Sequence, residues 1–560
     1  MRVLLLVSSF NSLTQRAWCR LRASGHDVAV EFALDEPTMI AAAHLAQPDI
    51  IIGTFLKDRV PAAVWTRWPT VVIHPGPVGD RGPSSLDWAI SDAAPVWGVT
   101  ALQAVEEMDA GPIWADRAFR LPDDPPRKSS LYGGLVSDAA MECLDEVVMK
   151  AERPGFRPVE LDGAPRAVPS ATLRPLMRQA DRAFSWDEPG GSILRRIRAA
   201  DGSPGVRTSL DGRVVHIFDA DLAQRPVAGR PGTIVGRDDE AVLVATGDRT
   251  GLWIGRAKRV AADGTVGIKR PAVQVLPDTA VGVPWLRDRA RIRYLRHGQH
   301  VGELVFAPYN GAVDVAWSRR LAGALRKALA QDTRVLILRG ALDTWCNGID
   351  LNAIEASDDP AMAAWASIRA INAVCRLIVQ HTGQVIVAGV SGNAGAGGVM
   401  LPLGADLVAA RDGMILNPFY ADMGLYGSEL HTRTLTRRVG ADTARRLLTE
   451  RLPIDADQAT RIGPVDEVGP RREEEYRDWL LDLAREQAQD RRWKLALQDK
   501  REAAAAEPRP LAYWAQLELA EMARDKFDDR QQFDLRRRNF VQKRRPDRTP
   551  AQLATHRAAR

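Results

Sequence analysis

Two glycine turns carry the most chemistry in this chain. The stretch Val390-Ser-Gly-Asn-Ala-Gly-Ala-Gly-Gly-Val-Met400 packs four glycines into a predicted strand-to-helix turn. Glycine lets a backbone approach a ligand closely and leaves N–H groups free to point at it. A second glycine turn, Trp345-Cys-Asn-Gly-Ile-Asp350, follows the apolar strand Val335–Leu338. Glycine turns also occur wherever a helix packs tightly on a strand. Two of them, each leaving a strand end, can aim a pair of N–H groups at one point. That is an oxyanion hole, suited to the enolate-like charge of a thioester.

A second constellation lies near the N-terminus. Val71-Val-Ile-His-Pro-Gly-Pro77 ends a predicted strand in a rigid turn. In an open α/β sheet ligands bind at the carboxyl ends of strands, so His74 stands where chemistry occurs. Met108-Asp-Ala-Gly-Pro-Ile113 offers Asp109 beside another turn. A histidine with an aspartate partner shuttles protons near neutral pH, the aspartate fixing the tautomer and raising basicity. A lone histidine is most often structural. The spacing of His74 with Gly98-Val-Thr100 and Asp109 favours the catalytic reading.

The elements that must position these residues fall into blocks. A chain of 560 residues exceeds one core, and roughly three or four domains are expected. The first block alternates short apolar runs with helical stretches: Val3–Val7, Val28–Phe32, Ile50–Gly53, Val71–Ile73 and Gly98–Ala104. That alternation predicts an open α/β sheet, followed by a helix over Leu131–Ala151. Short glycine-punctuated strands, Val214–Phe218, Gly232–Val235, Ala241–Ala245 and Gly251–Ile254, predict a small β-barrel. A third block returns to strand–helix alternation, and a charged helical region follows Glu473. We expect domains at 1–165, 180–285 and 295–470, with a C-terminal helical extension at 471–560.

Composition narrows the class. Cys19, Cys143, Cys346 and Cys375 are far apart and form no CxxC spacing, so neither a disulfide framework nor a zinc site is expected. A reducing cytoplasm fits. No window approaches ~18 uninterrupted apolar residues, which argues against a membrane partner. The formal charge of +5 is small against 76 basic residues. Much of the excess sits at Arg536-Arg-Arg538 and Lys543-Arg-Arg545 without a nucleic-acid-binding motif, so no nucleic-acid partner is expected.

The N-terminal residues resemble the folate-dependent formyltransferases. Ile73-His-Pro-Gly, Gly98-Val-Thr and Asp109-Ala-Gly-Pro-Ile match that family's patterns over about the first 120 residues. Phe184-Ser-Trp186, Pro204-Gly205, Leu210-Asp-Gly and Pro231-Gly-Thr-Ile look like the family's C-terminal barrel. The resemblance implies 10-formyltetrahydrofolate as formyl donor, His74 and Asp109 as catalytic residues, and a binding part for Thr100. One departure stands out: the family's Asn, two before the His, is Val72 here and cannot donate a hydrogen bond. Gln15 and Arg16, in the loop leaving the first strand, are expected as polar contacts for a substrate.

The third block resembles the crotonase, or enoyl-CoA hydratase/isomerase, superfamily. Asn347-Gly-Ile-Asp-Leu351 and Gly395-Ala-Gly-Gly398 match its two turns. The resemblance implies coenzyme A, oxyanion donors at Ile349 and Gly397, and further contacts at Asn310, Gly348 and Gly398. Where hydratases carry two glutamates, this chain has Met400 and Tyr420, so hydration of an enoyl thioester is not expected. Tyr420 and the nearby Glu429 are the candidates for proton transfer instead. The fold class is thus multidomain α/β: a formyltransferase-like open α/β sheet, a small OB-like β-barrel, a crotonase-like α/β spiral domain and C-terminal helices.

The order of modules, with Trp345-Cys-Asn-Gly-Ile-Asp-Leu-Asn, Leu425-Tyr-Gly-Ser-Glu and Gly79-Asp-Arg-Gly-Pro-Ser-Ser85, resembles the HypX/HoxX hydrogenase maturation proteins over nearly the whole chain. That resemblance implies a partnership with the nickel–iron hydrogenase maturation machinery. It also implies formyl transfer to coenzyme A, then release of carbon monoxide from formyl-CoA. Arg537, in the basic tail, is expected to grip coenzyme A phosphates. Two alternatives remain open from sequence. One is a formyltransferase acting on another amine with an inert crotonase module, the other a non-catalytic maturation scaffold.

Overall fold

A computed structural model describes residues 1–558. The chain divides into two compact units. The first comprises residues 1–289 with the C-terminal segment from Arg545, and the second runs from Ala290 to Arg544. The expected single extension at 471–560 is therefore divided: its helices stay with the second unit, and its end joins the first.

The first unit opens with a six-stranded sheet in the order Asp27–Phe32, Arg2–Val7, Ile50–Gly53, Thr70–His74, Val96–Gln103, Ile113–Arg120. The first four strands run parallel and the last two antiparallel. Near-continuous apolar runs make these strands, because helices cover the parallel part of such a sheet. Leu4, Leu5, Ile50, Ile51 and Ile52 are wholly buried. The sixth strand falls outside the expected apolar runs; Ile113–Arg120 alternates buried and open positions only weakly after Ala115. The expected helix Leu131–Ala151 starts as a π-helical turn over Tyr132–Val136, kinked at Gly134, before regular helix at Ser137–Ala151.

Residues 206–271 form an antiparallel sheet in the order Val206–Leu210, Arg213–Leu222, Leu252–Arg259, Val242–Val244, Ile234–Arg237, with Arg270–Pro271 on Leu252–Arg259. Helix Gly190–Ala200 presents Ile193, Leu194 and Ile197 to Val206, Val215, Ile217 and Ile254.

The edge strand Asp27–Phe32 does not end in solvent. The C-terminal segment lies along it: Val30 N–H donates to Leu553 O at 2.9 Å and Phe32 N–H to Thr549 Oγ1 at 2.8 Å. Glu31 is fully buried beneath, and it accepts from Thr549, from His556 Nε2 at 3.0 Å and from Arg557 Nε at 2.8 Å. Burial works to raise the Glu31 pKa, yet these donors outweigh it and hold the carboxyl below its ordinary range.

The second unit is a spiral of repeating turns. Its larger sheet runs Ile292–His297, Val301–Phe306, Val335–Arg339, Val385–Val390, Leu407–Arg411, Glu467–Gly469. Three of those strands are each followed by a short strand in a second sheet: Thr344–Cys346, Asn393–Gly395 and Ile415–Asn417. The chain thus climbs one layer per repeat, and each corner between the sheets is a tight turn. Helix Pro360–Gln380 is, by length and composition, apolar enough to cross a membrane. Here it supplies Ile368, Ile371, Cys375 and Ile378 to the core, which accounts for that character. Beyond the last strand of the larger sheet come helices at Glu473–Gln487, Asp490–Ala505, Leu511–Phe527 and Phe533–Val541.

Candidate functional site

In the first unit the strand Thr70–His74 ends at His74, which is 5% exposed. Its Nε2 lies 2.8 Å from Asp80 Oδ2, and its Nδ1 lies 3.6 Å from Asp109 Oδ1. Asp109 has a left-handed backbone, φ 57°, and its other oxygen accepts from Gly82 N–H at 3.1 Å. Burial alone would lower the His74 pKa. The Asp80 hydrogen bond and the charges of Asp109 and Asp80 more than reverse that, so the ring is a stronger base than usual. Gly76 is obligatory between them: a Cβ there would lie 2.2 Å from Asp80 Oδ2 and 2.5 Å from His74 Nε2.

The sequence pointed to Asp109 and missed Asp80, the closer partner. An acid six residues after the histidine, across a Pro/Gly turn, was the available signal. Thr100 pairs with His74 across the ladder, and its buried hydroxyl donates to Gly76 O at 2.8 Å. It braces the turn rather than presenting its hydroxyl to a ligand. Arg16, 8% exposed, pairs with Asp138 at 2.8 Å, so its guanidinium is held inside the fold. Half-buried Gln15 donates from its amide to Phe10 O at 2.9 Å. Val72 packs against Val78, Leu102 and Ile113, an apolar setting that supplies no donor.

In the second unit the two corner turns meet. Gly348 takes φ 78°, and a Cβ on it would stand 3.3 Å from Gly397 N. The turn bearing Ile349 and the turn bearing Gly397 are therefore packed backbone to backbone. Gly398 is equally constrained, since a Cβ would fall 1.8 Å from Cys346 O. Half-buried Asn310, φ 53°, backs the first turn through its carbonyl, which accepts from Asn347 Nδ2 at 3.0 Å. Asn347 N–H donates to Gly311 O at 2.7 Å.

Over Gly397 sits a carboxylate. A Cβ on that glycine would lie 2.4 Å from Glu429 Oε1 and 3.0 Å from Oε2. Tyr420 OH donates to Glu429 Oε2 at 2.6 Å and Ser428 OH to the same oxygen at 2.8 Å. Glu429 N–H donates to Asn372 Oδ1 at 2.8 Å. Burial pushes the Glu429 carboxyl above its ordinary range, against the hydrogen bonds of Tyr420 and Ser428. Burial and the neighbouring Glu429 also hold the Tyr420 phenol well above its usual value. Met400 is buried at 1% exposure, where a hydratase would place an acid. Cys346, in the first turn, is pushed up to about 12 by burial, which leaves it a neutral thiol. The site sets two closely packed glycine turns beneath one buried carboxyl group.

The sequence named Tyr420 and Glu429 but missed Ser428 and Asn372, which hold them. Arg537 is not where a phosphate contact requires it. Its guanidinium is 1% exposed and locked on Glu355 Oε2 at 2.7 Å and on Asp534 Oδ1 at 2.5 Å. It fastens helix Phe533–Val541 to helix Leu351–Glu355.

Fold and sites together define a fusion of a formyltransferase-type unit with a crotonase-type unit. The formyl transferase C-terminal domain family matches residues 176–263, and the enoyl-CoA hydratase/isomerase family matches residues 308–549. The hydrogenase maturation factor HoxX of Bradyrhizobium diazoefficiens is 40% identical, over 100% of this chain and 98% of its own length. The crystal structure of HypX from Aquifex aeolicus in complex with tetrahydrofolic acid superposes with a TM-score of 0.93 at 34% identity, covering 100% of this chain and 99% of that one. A methionyl-tRNA formyltransferase of Anaeromyxobacter dehalogenans is 28% identical over 46% of this chain and 82% of its own. The chain belongs to the HypX/HoxX family of hydrogenase maturation factors.

Proposed function

We propose that this protein makes carbon monoxide for the iron centre of nickel–iron hydrogenase, from a folate-bound formyl group and by way of coenzyme A. The observation that carries the reading is the Tyr420–Glu429 pair lying over the Gly397 turn, in a site whose hydratase acids are absent. The substrates are 10-formyltetrahydrofolate, supported by the tetrahydrofolate complex of the Aquifex relative, and coenzyme A, supported by the crotonase-type turns. Coenzyme A supplies a thiol that accepts the formyl group and is later regenerated.

In the first reaction His74 takes the thiol proton, its basicity raised by Asp80 and Asp109. Sulfur bonds to the formyl carbon, the bond to N10 breaks, and His74 returns the proton to N10. In the second, Ile349 and Gly397 N–H groups polarise the formyl oxygen. Formyl thioesters have no α-carbon, so enolate chemistry is closed. Glu429 removes the formyl hydrogen as a proton while the C–H pair remains on carbon as the lone pair of carbon monoxide. The C–S pair leaves with sulfur, and Glu429 hands it the proton. A dry site favours this route over hydrolysis to formate. Four buried cysteines, none of them in a disulfide, support a reducing cytoplasm as the setting.

The test supplies purified protein with 10-formyltetrahydrofolate and coenzyme A and traps gas with deoxyhaemoglobin. A carbonyl-haem band is expected. Formate alone, with no band, overturns the reading.

A further inference from the structure

We propose that Glu518 is a positioning residue for Glu429. Placed on helix Leu511–Phe527, far along the chain, it holds the acid–base group over Gly397 by capping the segment that follows that group. The proposal deepens the decarbonylation reading and depends on it for its kinetic readout.

Glu429 and Leu430 both adopt left-handed backbone, φ 64° and 63°. Two successive side-chain-bearing residues in that region persist only where the surroundings over-determine them. This pair aims the Glu429 side chain back at the second glycine turn. The backbone N–H groups show what holds it. That of Glu429 goes to Asn372, and that of Leu430 goes to Glu518 Oε2 at 2.9 Å. Glu518 Oε1 accepts from Thr432 N–H at 2.8 Å and Thr432 OH at 2.7 Å.

Leu430 is the cap of helix His431–Val439, and its own side chain provides no hydrogen bond. Glu518 supplies the missing cap from another helix, where the helix dipole also favours its negative charge. His431 Nδ1 stands 3.3 Å from Glu518 Oε1 and 3.0 Å from Ser428 O, tying the same segment from inside. Glu518 has no exposed surface, and burial pushes its carboxyl up to about 7 against those hydrogen bonds. A carboxyl kept in so costly a place has its donors concentrated on residues 430 and 432. The adjacent Asp525 does similar work for Tyr426, accepting its N–H at 2.6 Å.

The experiment uses the full-length protein with Glu518→Ala and Glu518→Gln. Gln retains one acceptor oxygen and replaces the other with a donor. Carbon monoxide release is expected to fall about 100-fold in E518A, the cost typical of a roughly 1 Å misplacement, and less in E518Q. The loss appears in kcat with KM for coenzyme A unchanged. Tetrahydrofolate release, read in the same samples, stays within about twofold of the parent. Crystal structures of both variants should show residues 429 and 430 out of the left-handed region and the carboxylate displaced from Gly397. Release of carbon monoxide at parental rate in both variants overturns the proposal, as does an unmoved Glu429 in both structures. If the parent itself releases no carbon monoxide, the decarbonylation reading fails, and the variant structures still decide whether Glu518 positions Glu429.

Discussion

The two sites reach a similar end, a buried titratable group raised above its ordinary pKa, by opposite physics. Around His74 the decisive groups are charged neighbours: Asp80 and Asp109 outweigh burial and favour the protonated ring. Around Glu429 burial decides, raising the carboxyl above its ordinary range despite two hydroxyl donors. One site is built by adding charges, the other by withholding water. The difference suits the proposed steps, since transfer needs a base that can take and return a thiol proton. Decarbonylation instead needs a base that is hard to hydrate.

The sharpest way to break this contrast is His74→Ala. Loss of a general base costs about 10²–10⁴-fold, so tetrahydrofolate release should fall by that order, and carbon monoxide with it. Carbon monoxide surviving while folate turnover stops would separate the two sites and sink their coupling. Next is Glu429→Gln, which keeps the shape but cannot take a proton. Carbon monoxide release should drop about 10²–10³-fold while tetrahydrofolate is still formed. Equal loss of both would show that the residue serves the fold rather than one reaction.

Asp80→Asn sharpens the comparison through pH. His74 works as a base when neutral, so the rate of formyl transfer rises as pH climbs through its elevated pKa. Removing the Asp80 charge lowers that pKa and should move the acid limb of the profile to lower pH, with a severalfold fall at the plateau. An acid limb that stays in place would mean that Asp80 does not set the basicity of His74. The smallest kinetic effect belongs to Arg537→Ala. It should cost up to about 3 kcal/mol of stability, since Glu355 would keep only the exposed Arg538, 3.5 Å away, and this is seen as a lower urea midpoint. KM for coenzyme A should be unmoved. A raised KM would restore the phosphate-binding part that the sequence suggested.

Much of the fold and of both sites is legible in the residues themselves, and for a physical reason. Strands such as Ile50–Gly53 and Val385–Val390 are buried on both faces, and continuous apolar runs betray them. Gly348, Gly397 and Gly398 are legible because close backbone approach admits no Cβ, so residue type alone encodes the contact. What escapes such reading are partners chosen by three-dimensional approach. Asp80 is hidden in a turn whose geometry periodicity does not describe. Asn372 and Glu518 meet Glu429 and Leu430 across separations of 57 and 88 residues. Arg537 misleads because a cluster of arginines looks alike whether it faces solvent or, as here, closes on Glu355.

The strand Asp27–Phe32 emerges early in synthesis, yet the segment covering it, from Arg545 onward, lies some 517 positions later. Until translation delivers Thr549, His556 and Arg557, the nascent sheet keeps an unpaired flank with the Glu31 carboxyl unsatisfied. Premature termination anywhere in the second unit therefore leaves a sticky margin on the first.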